Sequence, residues 1–412
     1  MFLMTFVGEG LFEMDWLIEF GGVIVRVFMQ PFIYLFVLLL MLSGYWRIKK
    51  DRQNFGTKVY PYFHEAKHTW SISIMVGLIL SILAIAFGFV ISIPFALLLG
   101  LVMLIVAIGN RFSWLSAGYS LAIVSAMMYF LNIYGENYLP SNWLHLLEAT
   151  DLFYIPFIIG ILLLTETWIL AKLQHDDTYP ELVKSSRGKY LGQHRIKKLT
   201  IIPFIALVPG GWIEPFAEWP LLEISGESFG VMILPYVFGF EYTVKSRLPR
   251  DAAKWLSKKV ALLAILILLI AAGSYFVPFL TVVALVVAFL GKEFIQLVYR
   301  SSEERRTPYF RPAKKGLLVL GTLPDTPAVD LGLIPGERIV KVNEISVENE
   351  ESFYQAVNQN RAFCKLSVKD LNGEIRFAQR ALYEGEHHKL GILFVKETDS
   401  YVQETRLEKQ ES

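Results

Sequence analysis

The chain has one cysteine, Cys364, in 412 residues. A lone thiol forms no intramolecular disulfide, which suits a reducing compartment. Catalytic signatures are equally scarce. There is no Gly-x-Ser-Gly, no Gly-x-Ser-x-Gly placed where a strand would lead into a helix, and no Walker-type Gly-x-x-x-x-Gly-Lys. Serine hydrolysis and nucleotide hydrolysis therefore have no motif to rest on. The net charge is only +1, so no basic balance points to nucleic acid. No Lys or Arg precedes the first apolar stretch, which argues against a cleaved signal peptide.

Apolar sequence is abundant. Hydrophobic residues make up 54% and the mean hydropathy is +0.44, too apolar for an ordinary soluble protein and too long for one domain. Residues 1–26 are apolar with Glu9, Glu13, Asp15 and Glu19, and read as an interfacial segment or part of the first span. Residues 27–299 read as a multi-pass region of about eight or nine spans. Val27 to Trp46 comes first, and further runs follow near 70–91, 93–109, 113–131, 151–171, 199–213, 228–244, 260–275 and 276–291.

Charge is segregated by loop. Residues 47–68 hold six Lys or Arg, 172–198 seven and 245–259 six, whereas 132–150 and 214–227 hold none. The positive-inside rule places the first three in the cytoplasm and the last two outside. Basic flanks on both sides of 260–291 require a tight hairpin broken near Gly273 and Pro278. Residues 300–314 then read as a polar linker, 315–396 as a cytoplasmic domain and 397–412 as a charged tail. Ionisable residues inside spans are few: Arg26, Glu166 and Glu241. The two glutamates fall near the cytoplasmic ends of their spans, where a structural role is favoured.

The C-terminal quarter has its own grammar. Gly316 opens a strand, Pro327-Ala328 starts a short helix, Gly332-Leu333 leaves it, and Gly336-Glu337 leads into Ile339 to Asn343. A short amphipathic helix over Glu351 to Asn360 and a hairpin at Asn372-Gly373 follow. This order resembles a bacterial PDZ domain. In that family a peptide adds as an extra strand beside a helix, held by backbone amides. No carboxylate-binding loop precedes Gly316, whereas Lys389-Leu390-Gly391-Ile392 lies at the far end. The resemblance thus implies a small α+β PDZ-like domain, circularly permuted, with Leu390, Gly391, Ile392 and Leu393 opposite Phe353 and Val357 as the peptide groove. The plainer alternative is that Leu390 to Val395 closes the sheet as an edge strand.

One motif favours an enzyme. His64-Glu65-Ala66-Lys67-His68 matches His-Glu-x-x-His, whose histidines share a helix face, bind zinc and leave the glutamate to activate water. Glu166, His175, Asp176 or Asp177 would be the remaining ligands. Against this zinc-protease reading, the motif sits at a membrane boundary beside Tyr62, Phe63 and Trp70, and the chain has no Asp-Gly to supply the third ligand found in site-2 proteases. The other reading is an interfacial aromatic belt with the histidines facing headgroups. A small-solute transporter is a third class, disfavoured by the lack of paired broken helices.

The N-terminal span with Ser43-Gly44-Tyr45-Trp46-Arg47-Ile48-Lys49-Lys50-Asp51-Arg52, the Tyr60 to Trp70 loop and the C-terminal segment together are similar to the MinJ family of division-site proteins from Bacillus-type Firmicutes. That resemblance implies a scaffold without enzymatic activity or cofactor. It would sit at poles and septa, join the coiled-coil protein DivIVA to MinD, and through MinD engage the FtsZ inhibitor MinC.

Overall fold

The computed structural model describes residues 22–23, 27–28, 30–108, 112–135, 150–185, 188–215, 219–221, 228–312, 315–360, 362–383 and 390–395. Most of the N-terminal segment, Arg26, most of the acidic 214–227 loop, Lys389 and the charged tail lie outside them. Among the described residues six helices are long and apolar enough to cross a membrane: α1 (Pro31–Phe55), α2 (Trp70–Phe87), α4 (Ala117–Tyr134), α5 (Ile155–Ala171, extended by a short turn from Leu152), α6 (Pro249–Gly273) and α7 (Phe279–Arg305). A shorter apolar helix, α3 (Ile93–Ile108), lies between α2 and α4. The chain is a multi-pass membrane protein.

Helix ends follow local chemistry. Pro31 starts α1, where its missing N–H costs nothing, and Gly56 at φ 73° ends it, donating to the Arg52 carbonyl at 2.9 Å. α6 and α7 form a hairpin that turns between Gly273 and Pro278. α7 continues as helix through Arg305 instead of stopping at the expected linker. The reason is Glu303, whose carboxylate accepts from the backbone N–H groups of Lys245 and Ser246 at 2.7 and 2.8 Å and from Arg247 at 2.8 Å, tying the end of α7 to the start of α6.

The runs 199–213 and 228–244 are not helical spans. They are strands β2 (Tyr190–Ile213) and β3 (Phe229–Val244), paired antiparallel from His194↔Val244 to Pro209↔Phe229, with β1 (Thr178–Lys184) on the other side of the base of β2. Pro203 and Pro235 face each other in the register; either would break an interior helical turn. The surrounding Ile, Val and Phe residues favour extended backbone.

The hairpin runs the length of the bundle beside α2. Ser73 Oγ meets Thr200 Oγ1 at 2.8 Å, Ser81 Oγ accepts from Ile205 N–H at 2.8 Å, and Leu207 exchanges backbone hydrogen bonds with Phe89 and Ile91 at 2.9 and 2.8 Å. From Ser73 to Phe89 a helix rises ~24 Å, and from Thr200 to Leu207 a strand rises ~23 Å, so the two elements stay in step. At the far end Trp219 Nε1 donates to the Ile85 carbonyl at 2.7 Å. The contact face of α2 is Ser73, Gly77 and Ser81, one residue per helical turn, and small residues let backbones approach closely. A Cβ on Gly77 would stand 2.1 Å from the Pro203 carbonyl oxygen.

The C-terminal unit is a sheet in the order β8-β7-β5-β4-β9: β4 (Leu317–Thr322), β5 (Arg338–Val342), β7 (Phe363–Lys369), β8 (Ile375–Ala381) and β9 (Ile392–Phe394), with the short β6 (Ile345–Ser346) paired to β5. Helices α8 (Pro327–Asp330) and α9 (Glu350–Gln359) cover its inner face, burying Val319, Ile339, Phe353, Val357, Leu366 and Phe394.

Gly77→Leu is expected to overpack the α2–β2 contact and destabilise the fold by about 3 kcal/mol, read as thermal unfolding of the purified protein in detergent. Leu78→Ala, one residue away on the 60% exposed face, should leave the transition unchanged.

Candidate protein-binding site

The β unit docks on one end of the bundle through two apolar contacts. Phe310, Leu318, Leu320 and Val395 pack on Leu182, and Leu393 packs with Val59, Tyr60 and Tyr179. Gly192 on β2 donates its N–H to the Phe310 carbonyl at 2.8 Å, and a Cβ there would meet Leu320, Phe310 and Val395 within 3.1 Å. His194, two residues on, is buried against the Phe310 ring at 4.8 Å, with Nδ1 3.0 Å from Thr178 Oγ1. Burial pushes its pKa down to about 3, against a smaller opposing pull from the Leu320 backbone.

The groove residues fall on two faces of β9. Leu390, Ile392, Phe353 and Val357 belong to the core of the β unit, and the Phe353 ring lies 5.2 Å from that of Phe394. Leu393 points the other way, into the docking contact. Gly391 takes φ +80°, and its Cβ position would lie 2.1 Å from Thr326 Oγ1, so glycine is required there. The Gly391 and Leu390 carbonyls accept from Leu323 and Ala328 at 2.7 and 2.9 Å, fixing the entry to β9. β9 ends the sheet, with β4 as its only strand neighbour among the described residues.

Residues 64–68 do not form the helix that zinc ligation by His-Glu-x-x-His requires. His64–Ala66 is a single 3-10 turn, Lys67 is extended and His68 sits at φ 62°, so the two histidines share no helix face. His64 stacks on Tyr60 at 4.1 Å and bonds the Asp176 carbonyl at 2.8 Å, and burial lowers its pKa. Glu65, fully buried, receives Ser43 Oγ at 2.9 Å and Arg47 Nε at 3.0 Å, and Arg47 also donates to the Tyr60 and Pro61 carbonyls. His68 faces Asp177 at 3.0 Å. His68, Asp176 and Asp177 do bring ligand atoms within 4.8 Å of one another. Lys67, at 2.8 Å from Asp176, and Lys198, at 2.5 Å from Asp177, already answer those carboxylates. The cluster is a clasp between the loop after α1 and the turn before β1, and it gives the protease reading no support.

Glu166 and Glu241 are held structurally, by partners the sequence reading left out. Glu166 pairs with Lys292 of α7 and accepts from Ser116 at 2.7 Å and Tyr242 at 2.8 Å. Glu241 pairs with Arg195 at 2.7 Å. Lys292 lies just beyond the apolar run ending at 291, yet it continues the buried stripe Thr281, Ala284, Ala288 at helical spacing. That stripe was the available signal. Arg47 and Lys198 were counted only as loop charge.

These features define a class: a multi-pass membrane bundle built around a buried β-hairpin, with a sheet-rich C-terminal unit clamped to one end. No family model matches the chain. It is 36% identical over 377 residues to the cell division topological determinant MinJ of Bacillus subtilis (strain 168), covering 90% of this chain and 93% of that protein. It is also 25% identical over 392 residues to probable MinJ determinants of Lacticaseibacillus paracasei and Lacticaseibacillus casei (strain BD-II), covering 92% of this chain and all of each relative. The chain belongs to the MinJ family of cell division topological determinants.

Two predictions follow the geometry. Glu65→Gln removes the nearer of the two carboxylates beside buried Arg47, with Asp51 remaining at 3.6 Å, and is expected to cost about 3 kcal/mol, read by thermal unfolding. Acid should also loosen the docking. The His194 pKa falls from 6.5 to about 3 on folding, so its contribution is intact above pH 6.5 and declines as pH drops toward 3, because the unfolded state then binds more protons. Protection from hydrogen exchange at β1 and β4, taken relative to the intrinsic rate at each pH, should fall as pH drops through that window, and a His194→Gln variant should show a flatter profile.

Proposed function

We propose that this protein is a membrane-held adaptor for division-site selection. Its C-terminal unit, a circularly permuted PDZ-like domain, faces the cytoplasm and offers β9 and α9 to an extended segment of a partner. By the family resemblance, the partners are a DivIVA-type coiled-coil protein at poles and septa and MinD, which brings the inhibitor MinC. The observation that carries this reading is the position of β9: it ends the sheet beside α9, and through Leu393 it is anchored to the bundle. Strand addition takes its affinity from main-chain hydrogen bonds, so an edge strand held in place by its own side chains is prepared for it. The described residues of the basic segments 47–68, 172–198 and 245–259 lie at the end of the bundle where the unit docks, which supports a cytoplasmic location. Confinement to the membrane raises the effective concentration of the groove for other membrane-bound proteins.

Deleting residues 316–412 is expected to leave membrane insertion intact and abolish recruitment of a division partner, seen by in-cell crosslinking with mass spectrometry and by filamentation or minicells. Truncation also uncovers Tyr60 and Tyr179, so the second arm is Tyr354→Ser: Tyr354 is the half-buried neighbour of Phe353 on α9, its ring 5.3 Å from that of Phe353, and the substitution keeps the docking residues. Normal localisation and capture of every partner by both variants would sink the adaptor reading.

A further inference from the structure

The opposite edge of the same sheet is also without a strand neighbour among the described residues. β8 ends the sheet at the side away from β9. Its outward row carries Ile375 at 62% and Phe377 at 65% exposure, and Tyr383 just beyond it is 71% exposed. β7 adds Phe363, paired in register with Ala381. Edge strands of soluble domains are normally blunted by charge, proline or a bulge to prevent pairing. β8 pairs with β7 over seven consecutive positions without a register shift, and has no proline. Its two charged residues, Arg376 and Arg380, lie on the inner face, so the outer row stays apolar, and an exposed apolar row on a sheet edge marks an interaction site.

Charge says what kind. Lys365 and Lys369 stand on the same outer face; the Lys365 ammonium leans over the Phe377 ring at 5.4 Å and reaches the exposed Glu344 carboxylate at 3.2 Å. On the inner face the edge itself carries Arg376, held by Glu337 at 2.7 Å, and Arg380, 3.1 Å from the 61% exposed Asp330. Pairing two copies over the whole strand about Ala378 would set Arg376 against Arg380 of the second copy, which is unfavourable. A lipid surface would leave the row of backbone N–H and C=O groups without partners.

We propose that β8 is a second docking edge, distinct from the β9 groove, which accepts an extended acidic segment of another protein as an added antiparallel strand. Apolar side chains of that segment lie beside Ile375, Phe377 and Tyr383, and its alternate acidic side chains lie beside Arg376 and Arg380. With both edges in use, one sheet would join two partners at once.

The test uses the full chain in phosphatidylcholine nanodiscs and the synthetic peptide Val-Glu-Phe-Glu-Val-Glu-Val, read by fluorescence anisotropy and hydrogen exchange. The peptide is expected to bind, to weaken as salt rises, and to protect amides of 375–381. Phe377→Ser should weaken it about tenfold without changing exchange in β5, which shows that the fold is kept. The same peptide with Lys for Glu should not bind. Equal binding of both peptides, protection confined to 390–395, protection of β8 that grows with protein concentration alone, or protection produced by phosphatidylglycerol nanodiscs without peptide would each overturn the proposal.

Discussion

The fold rests on one requirement: a peptide group inside an apolar bundle must find its hydrogen bond within the protein. An unmet N–H or C=O there costs several kcal/mol. Helices meet the requirement by themselves, but a two-stranded hairpin leaves two open edges. Here β2 has its outer edge answered by Ser81 Oγ and by the Phe89 and Ile91 main chain. On β3, the Ile233 carbonyl accepts from Gln30 Nε2 at 3.1 Å and the Glu241 carbonyl from Ser113 Oγ at 3.3 Å. The small face of α2, the irregular segment after it and polar residues near the ends of α1 and α4 are thus parts of one solution.

The same hairpin organises the charged end. Its base carries Arg195, Lys197 and Lys198, which meet Glu181, Glu241 and Asp177, and β1 beside it meets the loop after α1. The buried pairs Arg47–Glu65 and Lys292–Glu166 fix loop to helix and helix to helix. Such pairs are weak evidence for stability but costly to break, which makes them suited to holding a docking surface in one arrangement. Gly192, Phe310 and Val395 then seat the β unit on that surface.

Much of the architecture was legible in order along the chain. The α6–α7 turn falls at Gly273 and Pro278 as expected, and the strand and turn signals from Gly316 to Leu382 correspond to β4, β5, β7 and β8. The first helix, by contrast, runs from Pro31 to Phe55 and not from Val27 to Trp46, its end set by Gly56 and not by the onset of basic residues. The hairpin was misread because hydropathy measures burial and not conformation: 199–213 and 228–244 are as apolar as a span. Pro203, Pro235 and the β-branched residues around them were the signal for strand. The His64 to His68 motif misled for a related reason. Its spacing has meaning only on a helix, and residues 64–68 form none longer than one turn. Lys292 escaped because the polar partner of a buried carboxylate can come from any element, and pairing across 126 positions is tertiary information.

The continuity of β2 has a mechanical consequence. The strand that touches Phe310 and Val395 at Gly192 is the same covalent backbone that reaches the opposite end of the bundle near Ile85. A force applied to β9 would pass through Leu393 to Tyr60 and Tyr179 and through Val395 to β2, and then spread along a hydrogen-bonded ribbon that α2 holds at Ser73, Gly77 and Ser81. The β unit is therefore less a tethered head than the outer arm of a stiff bracket. Its stance relative to the bundle is set by these contacts.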